Sequence, residues 1–178
     1  MNLHETRRNH SKVNKVTKRL TTVLFIIYLI ALGWILLFKL GVQFSYMENR
    51  NVNLIPFAKI DVAEIILNLV IFVPLGIYAG VLFKRWGFVK KLFFFFLISL
   101  MFEGLQFIFR IGAFDITDII TNVLGGIIGS LIFEAIEKLF NNSVKAQKFI
   151  TIIAAIGTVL MISLLLLLKL NMLPIRYQ

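Results

Sequence analysis

The sequence contains no cysteine and two histidines, His4 and His10, both within the first ten residues. Disulfides, thiolate nucleophiles and thiolate metal sites are therefore excluded. Chemistry deeper in the chain must run on carboxylates, carboxamides, Arg and hydroxyls. Charge is scarce as well, at 16% of the 178 residues, with 9 Asp and Glu against 19 Lys and Arg. Hydrophobic residues make up 59% of the chain, including 18 Phe. They form runs long enough to cross a hydrocarbon layer, so the chain reads as an integral membrane protein. The net charge of +10 does not indicate nucleic acid, because the basic residues flank apolar runs instead of forming a folded basic face.

The expected fold is all-α, a polytopic bundle with spans at 20–38, 62–83, 89–109, 117–139 and 149–168, each near the ~20 residues a bilayer needs. That divides the chain into a basic cytoplasmic tail (1–19), a four-span core (20–140), and a linker with a fifth transmembrane helix (141–178). The first span is longer than a signal-peptide core and lacks a clean small-residue cleavage site, so it is expected to stay as an anchor. Lys and Arg set the orientation. The tail carries Arg7, Arg8, Lys12, Lys15, Lys18 and Arg19, and alternate loops add Lys84, Arg85, Lys90, Lys91, Lys138, Lys145 and Lys148. The other side receives Lys39, Arg50, Lys59, Arg110, Lys169 and Arg176. Under the positive-inside rule the N-terminus is cytoplasmic and the C-terminus external.

Against this apolar background the segment 103–122, EGLQFIFRIGAFDITDIITN, stands apart. Glu103, Gln106 and Arg110 are spaced three then four, so a helix puts them on one face. Asp115, Asp118 and Asn122 repeat the spacing. A hairpin folded about Gly112 and Ala113 would set Glu103 level with Asn122, Gln106 with Asp118, and Arg110 with Asp115. A third stripe, Asp61, Glu64 and Asn68, descends the preceding helix, and the three together suggest an outward-opening polar cavity. Pro74 permits a kink halfway down that helix. Gly76, Gly80, Gly125, Gly126 and Gly129 have the spacing of close helix packing. Glu134 can pair with Lys138 one turn on, a structural role.

Each ionisable group buried at mid-membrane costs at least ~2.5–3.5 kcal/mol, so a cluster of them points to function more than to folding. The structural alternative is that Arg110 and Asp115 lock the turn while Gln106, Asp118 and Asn122 hydrogen-bond across helices. If all are ionised, Glu103, Asp115 and Asp118 outweigh Arg110 by two negative charges. Either a carboxylate is protonated, as suits a general acid, or a cation joins the site. Oxygen donors without His or Cys favour a hard ion, Mg²⁺ or Ca²⁺, over zinc. With such an ion the site would accept a phosphate or pyrophosphate, Arg110 serving as the fixed anion partner.

The NLIPF stretch at 53–57, NLVIFVPLG at 68–76, and E-x-x-Q-x-x-x-R followed by D-x-x-D-x-x-x-N-x-x-G-G across 103–126 resemble the VanZ-like family, named for a teicoplanin-resistance protein. The resemblance covers about residues 20–140 and implies a small multi-pass protein of the bacterial plasma membrane, linked to tolerance of lipoglycopeptides such as teicoplanin. Its motif positions fall on Asn53, Pro56, Asn68, Pro74, Glu103, Gln106, Arg110, Asp115, Asp118 and Asn122. Asp61 and Glu64 rest on spacing alone.

Resemblance and residues together favour an envelope protein that binds or modifies the polar head of a membrane lipid or lipid-linked wall precursor. Glu103 and Asp118 are the candidate proton carriers. Asn53, Asn68, Gln106, Arg110, Asp115 and Asn122 are the candidate binding residues. Two other readings stay open: a small transporter or ion pathway, since intramembrane carboxylates also mark such routes, and a non-catalytic partner subunit of another membrane protein.

Overall fold

The computed structural model describes residues 3–38, 52–58, 61–110 and 112–169. Lys39, Arg50, Lys59 and Arg176, four of the cations assigned above to the outer side, lie outside them. Five helices account for most of the described chain: α1 (Leu3–Phe38), α2 (Val62–Leu82), α3 (Phe88–Phe109), α4 (Ile116–Phe140) and α5 (Ser143–Lys169). All five contain a stretch long and apolar enough to cross a membrane. Helix α1 begins well before the expected span, so the segment expected as a polar tail is largely helical.

Local sequence explains most of the helix ends. Asp61 precedes α2 in extended conformation, and its carboxylate accepts from the backbone N–H groups of Ala63 and Glu64, satisfying two donors that the first turn leaves open. Asp115 does the same for α4, accepting from the Thr117 N–H. Asn142 caps α5 through Val144 and Lys145. Arg110 and Asn141 end α3 and α4 in left-handed conformation. Pro74 does not interrupt α2, which is helical on both sides of it.

The chain divides into two compact units, one of Met1–Tyr28 with Asn142–Gln178 and the other of Leu29–Asn141. In the first, the buried hydroxyls of Thr21 and Thr151 share a hydrogen bond at 2.8 Å. In the second, α4 is the central helix, with α2 packed closely along it and α3 on another face. Glycine makes this possible. A methyl on Gly76 would overlap the Gly126 carbonyl oxygen, one on Gly125 the Leu69 carbonyl, and one on Gly129 the Val73 carbonyl. The two backbones therefore touch, as small residues one turn apart allow. Gly126 faces the Phe95 ring of α3, and Gly80 faces Phe133.

At the far end of this unit from α4's C-terminus lies a feature the all-α expectation did not include. A two-stranded parallel bridge pairs β1 (Val52–Asn53) with β2 (Phe114–Asp115), in register Val52 to Phe114 and Asn53 to Asp115. At the opposite end, the α2–α3 turn is held by stacking of Trp86 on Phe83 at 4.4 Å. Ion pairs add Lys84 to Glu137 and Lys91 to Glu134 at 4.0 Å. Glu134 thus reaches across to α3 instead of pairing with Lys138 as the spacing suggested.

Candidate functional site

The β bridge positions Asp115 as a junction. Its Oδ1 accepts from the Thr117 N–H at 2.7 Å and its Oδ2 from Asn53 Nδ2 at 2.8 Å, while its own N–H donates to Glu103 Oε2 at 3.3 Å. Three segments distant in sequence are joined by one residue. Asn53 also folds its own loop, since its Oδ1 accepts from the Ile55 N–H at 3.2 Å, an Asx turn. A few residues on, Phe57 adopts φ 58°, a conformation that bulky residues seldom take. Its N–H is held by Thr117 Oγ1 at 3.0 Å. Strain of this kind persists where surrounding contacts over-determine it. Here the loop is fastened to the first turn of α4 at two points.

Deeper along the helices, Asn68 Nδ2 of α2 donates to Asp118 Oδ1 of α4 at 2.8 Å. One turn further, Asn122 Nδ2 donates to Ser99 Oγ of α3 at 3.0 Å. Gln106 turns toward α1, donating to the Leu36 carbonyl at 2.8 Å. Glu103 and Gln106 are each 2% exposed and Asn122 is 0% exposed, so these are interior groups. An amide-to-carboxylate hydrogen bond contributes ~1.5–3 kcal/mol. Arg110, by contrast, is exposed at the end of α3.

Of the expected site residues, the structure thus brings Asn53, Glu103 and Asp115 into one network, with Asn68 and Asp118 in a second pair on the same helix. It does not bring together the level pairs that a symmetric hairpin would make. Asn122 meets Ser99 instead of Glu103, Gln106 meets the Leu36 carbonyl instead of Asp118, and Asp115 lies at Glu103 instead of Arg110. The cause is the connection. Arg110 leaves the helix in left-handed conformation and residues 114–115 are extended, so the chain comes back toward Glu103 before α4 starts.

Three buried hydroxyls complete the site that spacing had not singled out: Ser99, Thr117 and Thr121. Ser99 lies four residues before Glu103, so it extends the α3 stripe by a turn, and that spacing was the available signal. Asp61 belongs to the cap of α2 and is exposed. Among the described residues, no three His, Cys, Asp or Glu side chains converge as a metal-binding group.

The chain matches the model of the VanZ/LLP1 family over residues 25–141. It belongs to the VanZ/LLP1 family. Protein VanZ of Enterococcus faecium is 40% identical over 153 residues, which cover 83% of this chain and 92% of that protein. No solved structure matches the chain. The matched VanZ/LLP1 stretch contains α2, α3, α4, both strands and every site residue above. With five candidate spans, this VanZ/LLP1 member is a multi-pass protein of the bacterial plasma membrane.

Proposed function

We propose that this protein binds the polar head of a membrane lipid or lipid-linked wall precursor at the outer surface, and so alters tolerance to lipoglycopeptides of the teicoplanin type. The observation that carries the reading is the Asp115 junction. Three carboxylates, Glu103, Asp115 and Asp118, are gathered with the carboxamides of Asn53 and Asn68 where α2, α3 and α4 begin or end. Hydrogen-bonding capacity of that density inside a membrane domain suits a polar ligand better than it suits packing. The Lys and Arg distribution supports an external position for this end. If the head group is modified as well as bound, Glu103 and Asp118 are the proton carriers. The glycine contacts between α2 and α4 below Asn122 favour a site closed at its inner end over an ion pathway.

The test is expression in a susceptible Gram-positive host, with tolerance to teicoplanin and vancomycin measured side by side. Teicoplanin tolerance should rise more, because its lipid tail depends on the membrane surface the site would face. Arg110→Ala, which removes the cation at the end of α3, should reduce the gain. Equal tolerance to both drugs, or a full gain without Arg110, would refute the proposal.

A further inference from the structure

The turn between α2 and α3 carries charge that the protein leaves uncompensated. Lys84, Arg85, Lys90 and Lys91 lie close together in sequence, and α4 brings Lys138 to the same end, next to the Glu137 that meets Lys84. The acidic residues there, Glu134 and Glu137, are both engaged, Glu137 by Lys84 and Glu134 by Lys91. Among the described residues, Arg85, Lys90 and Lys138 have no acidic partner, and all three are exposed. The positive-inside rule accounts for cations on this flank but not for the side chains set among them.

Trp86 is stacked on Phe83 at 4.4 Å, with Phe94 edge-on to both at 5.5 and 5.9 Å. Its backbone N–H donates to the Phe83 carbonyl at 2.8 Å, so the turn is held in place by its own contacts. The Trp86 ring is partly exposed, and among the described residues its indole N–H has no acceptor. An amphipathic ring with a spare donor suits the head-group level of a bilayer. From the turn an exposed apolar row runs along α3 through Val89, Phe93 and Phe96, spaced four then three and therefore on one face. Lys90 follows Val89 directly. Arg85 and Lys90 are long side chains without a protein partner, so both can turn to one phosphate, and Lys138 adds to the positive potential of the same end. A soluble anion would match the cations and leave the apolar row unused; a phospholipid matches both. We infer that the α2–α3 turn holds an anionic phospholipid, its phosphate met by Arg85, Lys90 and the Trp86 indole and an acyl chain lying along Val89, Phe93 and Phe96. This surface is at the opposite end of the unit from the Asp115 junction and does not depend on the function proposed for that junction.

The experiment places the full chain in nanodiscs that hold phosphatidylglycerol, cardiolipin and phosphatidylcholine in equal amounts, and native mass spectrometry reads which lipid stays on the protein. Each anionic lipid should be retained over the choline lipid by ~20-fold, from two cations worth about 5-fold each. The double variant Arg85→Gln, Lys90→Gln should bring that preference close to parity. Both side chains are exposed and unpaired, positions where substitution seldom affects folding; should the double variant nonetheless fold poorly, Lys90→Gln alone should cost about 5-fold. Arg7→Gln with Arg8→Gln removes the same charge from the N-terminal segment and should leave the preference unchanged. An equal loss there would overturn the inference, because net charge alone would then explain retention. Loss of the preference in Arg110→Ala, with the turn variants unaffected, would place the lipid at the strand end and overturn it as well. Millimolar glycerol 3-phosphate, which has the phosphate without the chains, should not displace the lipid; displacement would assign the cations to soluble anions and overturn the lipid. Equal retention of all three lipids would leave the cations as a topology signal only and refute the inference.

Discussion

Replacing Gly129 by Ala tests whether α2 and α4 are in backbone contact. A methyl there would overlap the Val73 carbonyl and lie 3.0 Å from the Gly76 Cα. Both obstacles are backbone, so no side-chain rotation can relieve them and the helices must move apart. Overpacking of this kind costs ~1–3 kcal/mol. Against it, Ala is favoured over Gly in a helix by ~0.5–1 kcal/mol. The matched control is Gly104→Ala on α3, where an added methyl meets nothing within 4 Å. The helix term is common to both variants and cancels in the difference, which therefore reads the packing cost directly. At ~1–3 kcal/mol, the two should differ by roughly 5- to 150-fold in their folded-to-unfolded ratio. Denaturing-detergent titration from mild micelles, followed by the fluorescence of Trp34 and Trp86, gives both midpoints. Gly104→Ala should be neutral or stabilising, and Gly129→Ala destabilising. A Gly129→Ala protein as stable as the control would refute the contact.

Two further outcomes are expected. Glu103→Gln and Asp118→Asn should abolish the drug-tolerance phenotype while keeping normal membrane abundance, since both conserve size and remove one charge; loss of the protein from the membrane, on immunoblots of the same cells, would assign these residues to folding instead. Because the chain has no native cysteine, a cysteine at Ala113 should react with an impermeant maleimide in intact cells and one at Ser143 should not, and the reverse pattern would invert the topology.

The parts of the fold legible in the sequence are those decided locally. Apolar runs placed the helices, and a spacing of three then four put Asn68 and Asp118 on faces that do meet. Asp115 was found, but its partners Asn53 and Glu103 were not, because they depend on the conformation of residues 110–115. That conformation rests on a parallel pairing with Val52 and Asn53, more than fifty residues away, for which neither strand, two residues long, leaves a periodic signal. Ser99, Thr117 and Thr121 were passed over for a different reason. A hydroxyl can donate to a carbonyl of its own helix, as Thr121 does to Thr117 at 3.0 Å, so in an apolar run it is tolerated without a tertiary partner. Only its place relative to Glu103 distinguishes Ser99. Glu134 shows a related limit: an ion pair was available within its own helix, but Lys91 was closer across the interface.

The polar site and the glycine contact are two consequences of one helix face. Read inward along α4, that face carries Asp118, Asn122, then Gly125 and Gly126, then Gly129, each about one turn beyond the last. Its polar side chains are joined to the neighbouring helices by hydrogen bonds, Asp118 to Asn68 of α2 and Asn122 to Ser99 of α3. Where glycine begins, the backbones close to contact, and Gly125 already abuts the Leu69 carbonyl. Asn122 is the last of these polar side chains before the glycines, fully buried and with only its Oδ1 left without a protein hydrogen bond. A head group bound as proposed would meet the main-chain contact of α2 and α4 at Gly125, a boundary that single side-chain substitutions above it do not remove. Deepening the site would instead require separating the helices at Gly125, the step that a methyl at that position would force.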